Sequence, residues 1–282
     1  MMTMGWFTQQ RGTARTHGQG QGITKRLGVG LLALAAAGAL VACGGSGNSE
    51  PAGKPLTLTI LHINDHHSTL ESRSKTLKLS AGGASAVDVD VAVDAGGFPR
   101  VTAAINELAA QSTNVLKLHA GDALTGTLYF NRAGADGEAD AAMMNTVCFD
   151  AFTLGNHEFD KGDSGLKGFL DLLRKGNCKT PVLIANVQFG PNSALNPTRA
   201  PGYVSPSTVV ERDGQKIGIV GLTIAQKTQA SSSPDAGTTF QDETAAAQRE
   251  IDALSAKNIN KIIVLSHIGY DYDKQVASRL SG

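Results

Sequence analysis

Phe149-Asp150-Ala151-Phe152-Thr153-Leu154 runs directly into Gly155-Asn156-His157-Glu158. The first six residues read as a strand, and the last four place an amide, an imidazole and a carboxylate at its end. Two other predicted strands finish the same way. Residues 56–63 lead into Asn64-Asp65-His66-His67, and residues 115–118 lead into His119-Ala120-Gly121-Asp122. A fourth, residues 261–266, delivers His267 in the same position. Ligands of open α/β folds bind beyond the carboxyl ends of strands, so loops far apart in sequence can meet there.

Carboxylate and amide oxygen with imidazole nitrogen, and no thiolate among them, suit Zn, Mn, Fe or Co rather than a cysteine cage. Alternate side chains of an extended segment point the same way, so Asp65 and His67 can reach one ion. Asp122 can bridge two ions because a carboxylate has two oxygens.

In chain order the pieces are Ile60-Leu61-His62-Ile63-Asn64-Asp65-His66-His67, Gly97-Phe98-Pro99-Arg100, Gly121-Asp122-Ala123-Leu124-Thr125-Gly126, Asp150 through Asp160, Ala185-Asn186-Val187 and Ser266-His267. A lone D-x-H or G-D says little, but this ordered set with βα spacing is specific. It resembles the calcineurin-like metallophosphoesterases, and more narrowly their bacterial periplasmic 5′-nucleotidase branch, from about residue 56 onward. The resemblance implies an α/β chain folded as a four-layer αββα sandwich, two packed mixed sheets with helices outside. It also implies two divalent metal ions: Asp65 and His67 on one, Asn156 and His267 on the other, Asp122 bridging. His157 matches the family's catalytic histidine, with Asp160 orienting it. The implied activity is metal-dependent hydrolysis of phosphate monoesters, above all nucleoside 5′-monophosphates, by an activated water.

One departure stands against full activity. The family supplies a further G-H-x-H type loop after the His267 strand, and the 5′-nucleotidase branch adds a C-terminal domain that binds the base. This chain stops at Leu280-Ser281-Gly282. Residues 56–282 therefore read as an incomplete metallophosphatase domain with its C-terminal part missing. The alternatives are a 2′,3′-cyclic-nucleotide phosphodiesterase, a nucleotide-sugar hydrolase, the thiosulfate-pathway relative, or an inactive truncated surface lipoprotein.

The N-terminus carries an address. Residues 1–26 are basic and lack acidic side chains, residues 27–42 are apolar and small, and Leu40-Val41-Ala42 precedes Cys43. A basic start, an apolar stretch short for a span and small residues before a cut describe a secretory signal over residues 1–42. The cysteine resembles the bacterial lipobox, which makes Cys43 the lipidated first residue of a periplasmic, membrane-anchored protein. Residues 43–55, glycine- and serine-rich, read as a flexible tether. An uncleaved transmembrane anchor is the alternative.

The 25 basic and 25 acidic residues cancel, which argues against a long nucleic-acid surface; the family resemblance implies a nucleotide as partner, and the lipobox resemblance the membrane. Residues 98–111, 164–175 and 243–257 carry apolar side chains at helical spacing, with Asp163 or Ser164 as a predicted N-cap for the second. Asp213-Gly214 between two apolar runs predicts a hairpin. Residues 71–97, polar and small, read as a loop or insertion.

The remaining histidines divide. His62, inside a strand, reads as packed or hydrogen-bonded, His66 as facing solvent or supporting the ligands, and His119 as a supporting residue or a structural one. Cys148 and Cys178 form an even pair that invites a disulfide in an oxidising compartment, or else two buried thiols.

Overall fold

The computed structural model describes residues 55–80, 82 and 87–282. The signal segment, Cys43 and the tether up to residue 54 lie outside the described residues. In chain order the first elements are β1 (Thr59–Ile63), β2 (Ser72–Ser80), β3 (Asp88–Gly96), α1 (Phe98–Ala110) and β4 (Val115–His119). Next come α2 (Tyr129–Arg132), α3 (Glu138–Met144), β5 (Ala151–Thr153), α4 (Gly162–Lys175), β6 (Val182–Leu183) and β7 (Val187–Gln188). The chain continues through β8 (Ser207–Arg212), β9 (Gln215–Thr223), α5 (Ala225–Ser231), β10 (Thr239–Phe240), α6 (Glu243–Ser255), β11 (Ile262–His267) and α7 (Tyr270–Ala277).

The apolar runs that read as strands form two facing sheets. In the first, β1-β4-β5-β6 are all parallel, and the register Ile63↔His119 and His119↔Phe152 brings three strand ends to one edge. In the second, β11 lies parallel to β9, and β8 pairs antiparallel with β9. The β8–β9 turn is the predicted one: Asp213 and Gly214 both take positive φ, 49° and 67°, as a two-residue hairpin of this twist requires. One sheet is thus wholly parallel and the other mixed.

Leu116, Leu118, Ala151 and Leu183 of the first sheet meet Ile217, Ile219 and Leu265 of the second in a shared core. The sheets come into close contact where Gly221 lies against Leu183. A Cβ on that glycine would sit 2.5 Å from the Leu183 Cβ, so only glycine fits. Outside the first sheet, Phe98 and Ile105 of α1, Met144 of α3 and Leu166, Phe169 and Leu170 of α4 are buried with Phe152. Outside the second, Ala246, Ala247 and Leu254 of α6 and Val276 of α7 pack with Val220 and Leu222. Helix, sheet, sheet, helix is the layer order.

Residues 71–97 correct the loop reading. β2 and β3 pair antiparallel over their whole length, from Ser72↔Gly96 to Ser80↔Asp88. Val89, Val91 and Val93 alternate with Asp88, Asp90 and Asp94, the period-two pattern of a strand, masked by the small and polar composition around it. Asp163 is not a cap. Lys161 holds that position, and the buried Asp163 carboxylate instead accepts the Ser193 and Thr238 hydroxyls and the Asp235 N–H. His62 is exposed rather than packed. Cys148 and Cys178 are joined by a disulfide with their Cα atoms 5.1 Å apart.

Candidate metal centre

The turns after β1 and β4 are laced together by the backbone. Asp65 N–H donates to the Gly121 carbonyl at 3.0 Å, His67 N–H to Asp122 at 3.2 Å and Ser68 N–H to Ala123 at 3.0 Å. To make these bonds, Asp65, His67, Ser68 and Asp122 adopt φ between 45° and 53°. Left-handed backbone at non-glycine residues costs free energy and persists only where its surroundings over-determine it. The segment is therefore curled, not extended. Asp65 and His67 still reach each other, with Oδ1 and Nε2 3.4 Å apart, but through the turn rather than through strand alternation. Gly121 is needed at its position: a Cβ there would fall 2.6 Å from the Gly155 N, where the β4 and β5 turns cross.

Asp122 sits at the middle, 1% exposed. Its Oδ1 accepts the His157 N–H at 2.9 Å, while Oδ2 faces His267 Nε2 at 3.0 Å and His67 Nε2 at 3.7 Å. The His267 contact is informative. His267 Nδ1 lies 2.7 Å from the Ala120 carbonyl, which can only accept, so Nδ1 carries the proton. A neutral His267 then aims the lone pair of Nε2 at a carboxylate oxygen. Two donors of electron pairs face one space, an arrangement satisfied by a cation or by a second proton on the imidazole. Burial opposes charge on His267, but the Asp122 carboxylate outweighs it and lifts the imidazole to about 9. Asp65 is likewise penalised by burial, yet its contacts with His67 and Asn64 hold it down at about 2.

Asn156, also 1% exposed, has neither amide atom hydrogen-bonded among the described residues. A buried amide left unpaired costs about 1–3 kcal/mol, and a liganding role resolves the expense. Two donor groups, Asp65–Asp122–His267 and His67–Asp122–His157, each have their ligand atoms within 4.8 Å of one another and share Asp122. Oxygen and imidazole donors of this kind fit a divalent metal. His157 enters through a single 3₁₀ turn, His157–Phe159, and its Nδ1 is 2.6 Å from Asp160 Oδ2. Asp65, His67, Asp122, His157 and His267 thus stand together, and Asn156 follows β5 next to His157 in the chain.

Other residues of the centre had no role in the sequence reading. Glu158, 1% exposed, accepts four backbone N–H groups, those of Asp122 at 2.9 Å, Ala123 at 2.7 Å, Leu124 at 3.2 Å and Gly155 at 2.6 Å. Its carboxylate binds the β4 turn to the β5 turn. Burial and the nearby Asp122 charge push Glu158 up to about 7, against the pull of its N–H donors. Asn186 ties the two sheets together, donating to the Thr223 carbonyl at 2.8 Å and accepting its N–H at 3.1 Å. The signal for Glu158 was its place in the Gly-Asn-His-Glu run, and for Asn186 its place after an apolar strand.

Comparison with known proteins places the geometry. The family model for calcineurin-like phosphoesterases matches residues 58–279. The NAD 5′-nucleotidase of Haemophilus influenzae is 45% identical over 228 residues, 81% of this chain and 35% of that protein. The solved structure of the Haemophilus influenzae NAD nucleotidase aligns with a TM-score of 0.66 and 45% identity, over 78% of this chain and 40% of the other. A 5′-nucleotidase precursor from Thermus thermophilus aligns with a TM-score of 0.65 and 38% identity, over 79% of this chain and 39% of that one. The chain spans about 35% of the length of the curated relatives it resembles from Treponema pallidum and Haemophilus influenzae.

Proposed function

The chain belongs to the calcineurin-like phosphoesterase family, and on that premise we propose that it serves hydrolysis of nucleotide phosphate esters, nucleoside 5′-monophosphates foremost. The observation that carries the reading is the buried Asn156 amide, neither atom of which is hydrogen-bonded among the described residues, together with the Asp122 Oδ2 that faces Nε2 of both His67 and His267. In this reading Asp65 and His67 would hold one divalent ion and Asn156 and His267 a second, with Asp122 shared, although the donor atoms nearest one another group as Asp65–Asp122–His267 and His67–Asp122–His157. Two such ions, when bound, polarise a phosphoryl group and lower the pKa of a bound water.

The protein's own groups do the rest. Asp160 Oδ2 lies 2.6 Å from His157 Nδ1 and fixes the ring, which leaves Nε2 for a phosphoryl or leaving oxygen. The Asp122 Oδ1 bond to the His157 N–H holds that ring beside the donors. Cys43, in the same reading, is lipidated after removal of residues 1–42, anchoring the domain in the periplasm. No helix among the described residues is long and apolar enough to cross a membrane.

A second reading has one observation in its favour: the Haemophilus influenzae relative carries NAD in its name. A dinucleotide would be cut at its pyrophosphate rather than at a monoester. The full-length chain, loaded with Mn²⁺, separates the two by phosphate release from AMP against AMP release from NAD. Turnover of AMP supports the monoesterase, turnover of NAD alone replaces it with the pyrophosphatase, and turnover of neither with metal bound overturns both. Growth with a lipoprotein signal peptidase inhibitor tests the anchor, since an unchanged mass and an uncut N-terminus would overturn lipidation at Cys43.

A further inference from the structure

Behind the donors lies a line of polar groups that no ligand role accounts for. The Gly121 N–H donates to His119 Nδ1 at 3.2 Å. His119 Nε2 is 2.9 Å from His66 Nδ1, and His66 Nε2 is 3.2 Å from Asp140 Oδ1. Ser68 Oγ donates to the other Asp140 oxygen at 2.9 Å.

One end of this line determines every proton in it. A backbone N–H can only donate, so His119 Nδ1 accepts. Burial holds His119 well below the ordinary imidazole range, which keeps it neutral with its single proton on Nε2. That proton goes to His66 Nδ1, so the His66 proton on Nε2 goes to Asp140. His119, Asp140 and Ser68 are each 0% exposed. The two imidazoles are also boxed in by aromatic edges, His66 with its centroid 5.0 Å from that of Phe98, and His119 at 5.2 Å from Phe149 and 5.1 Å from Phe152. Both ring nitrogens of each histidine are used, and neither faces the donor cluster.

The line joins the two turns that hold the donors. His66 lies between Asp65 and His67, Ser68 follows them, and His119 leads into Gly121 and Asp122. Those same turns carry left-handed backbone at four non-glycine residues, a conformation that relaxes unless held. Asp140, on α3, anchors the line from outside the strand edge.

We propose that Asp140, His66 and His119 are positioning residues: their relay sets the spacing between the Asp65–His67 turn and Asp122, and through it the affinity for metal. The proposal rests on the metal-centre reading. Groups behind a metal's ligands typically govern about 10–100-fold in affinity.

The test is Mn²⁺ titration by calorimetry on the full chain and on Asp140→Ala, Asp140→Asn and His119→Asn, with the visible spectrum of the Co²⁺-loaded forms and apo melting curves alongside. Asp140→Asn keeps an acceptor for His66 and should stay within about 3-fold of the parent. Asp140→Ala should bind about 10–100-fold more weakly and shift the Co²⁺ bands, a change a purely structural role would not produce in folded protein. Should Asp140→Ala fail to fold, His119→Asn decides: it keeps the acceptor for Gly121 but cannot reach His66, and the same loss is expected. Parent-like affinity and Co²⁺ bands in folded Asp140→Ala or in His119→Asn overturn the relay. A parent that binds no Mn²⁺ overturns the metal-centre reading and the relay with it, so the two failures are told apart.

Discussion

The donors of the first sheet and the donor of the second are held in place by different means. Asp65, His67 and Asp122 sit on turns laced by three backbone hydrogen bonds, closed by Glu158 and backed by the half-buried His66 and the buried His119. His267 arrives from the opposite sheet on β11, and its ring is oriented by one hydrogen bond to the Ala120 carbonyl. Its placement depends on how closely the two sheets pack at Leu183 and Gly221. Local polar ties pre-arrange one set, and the joining of the two sheets, by the Leu183–Gly221 contact and the Asn186–Thr223 hydrogen bonds, positions the other. Damage to each should therefore look different.

The largest effect is expected where the two sets meet. Asp122→Ala removes the carboxylate that faces both His67 and His267, so bound Mn²⁺, measured by elemental analysis, should fall to background for both ions. Metal that survives this change at parent levels would break the picture of a shared Asp122. His157→Ala should behave otherwise. It removes the group oriented by Asp160 and leaves metal content nearly intact, while turnover of the preferred nucleotide falls by about 10²–10⁴-fold. A loss of metal as severe as that of Asp122→Ala would make His157 a ligand.

Two smaller effects sharpen the contrast between ties and packing. Glu158→Gln turns an acceptor into a donor against buried backbone N–H groups, and each group left unpaired costs about 1–3 kcal/mol. Thermal denaturation should show a clear drop in midpoint, and the first-sheet donors should lose affinity with it. Gly221→Ala acts from the other side. Its Cβ would meet Leu183 at 2.5 Å, and overpacking of this kind costs about 1–3 kcal/mol. Because the sheets must part to admit it, titration should show the ion held through His267 weakened more than the one held by Asp65 and His67. Equal weakening of both would mean that the second sheet does not position its donor independently.

Much of the fold could be read in advance. Residues 98–111, 164–175 and 243–257 became α1, α4 and α6 within a few residues of their predicted limits, because apolar side chains at helical spacing must face a core whatever that core is. The Asp213-Gly214 turn was legible because its two positive φ values exclude most other residue pairs. Residues 71–97 were not. Their valine–aspartate alternation carried the strand signal, but a solvent-exposed ribbon buries little, and composition pointed to a loop.

At the candidate centre, the sequence alone determined which chemistry stands at the strand ends: carboxylates, an amide and imidazoles after four apolar runs. Residue type and strand position are local properties, and locally readable. Only the tertiary structure decided how those groups meet. The left-handed backbone of Asp65, His67 and Ser68 answers carbonyls of the β4 turn. Glu158 becomes a clamp because four N–H groups from two loops converge on it, and Asp140 reaches His66 from a helix 74 residues along the chain. A hydrogen bond of this sort depends on what lies across space at about 3 Å, and no period or spacing along the chain encodes that partner.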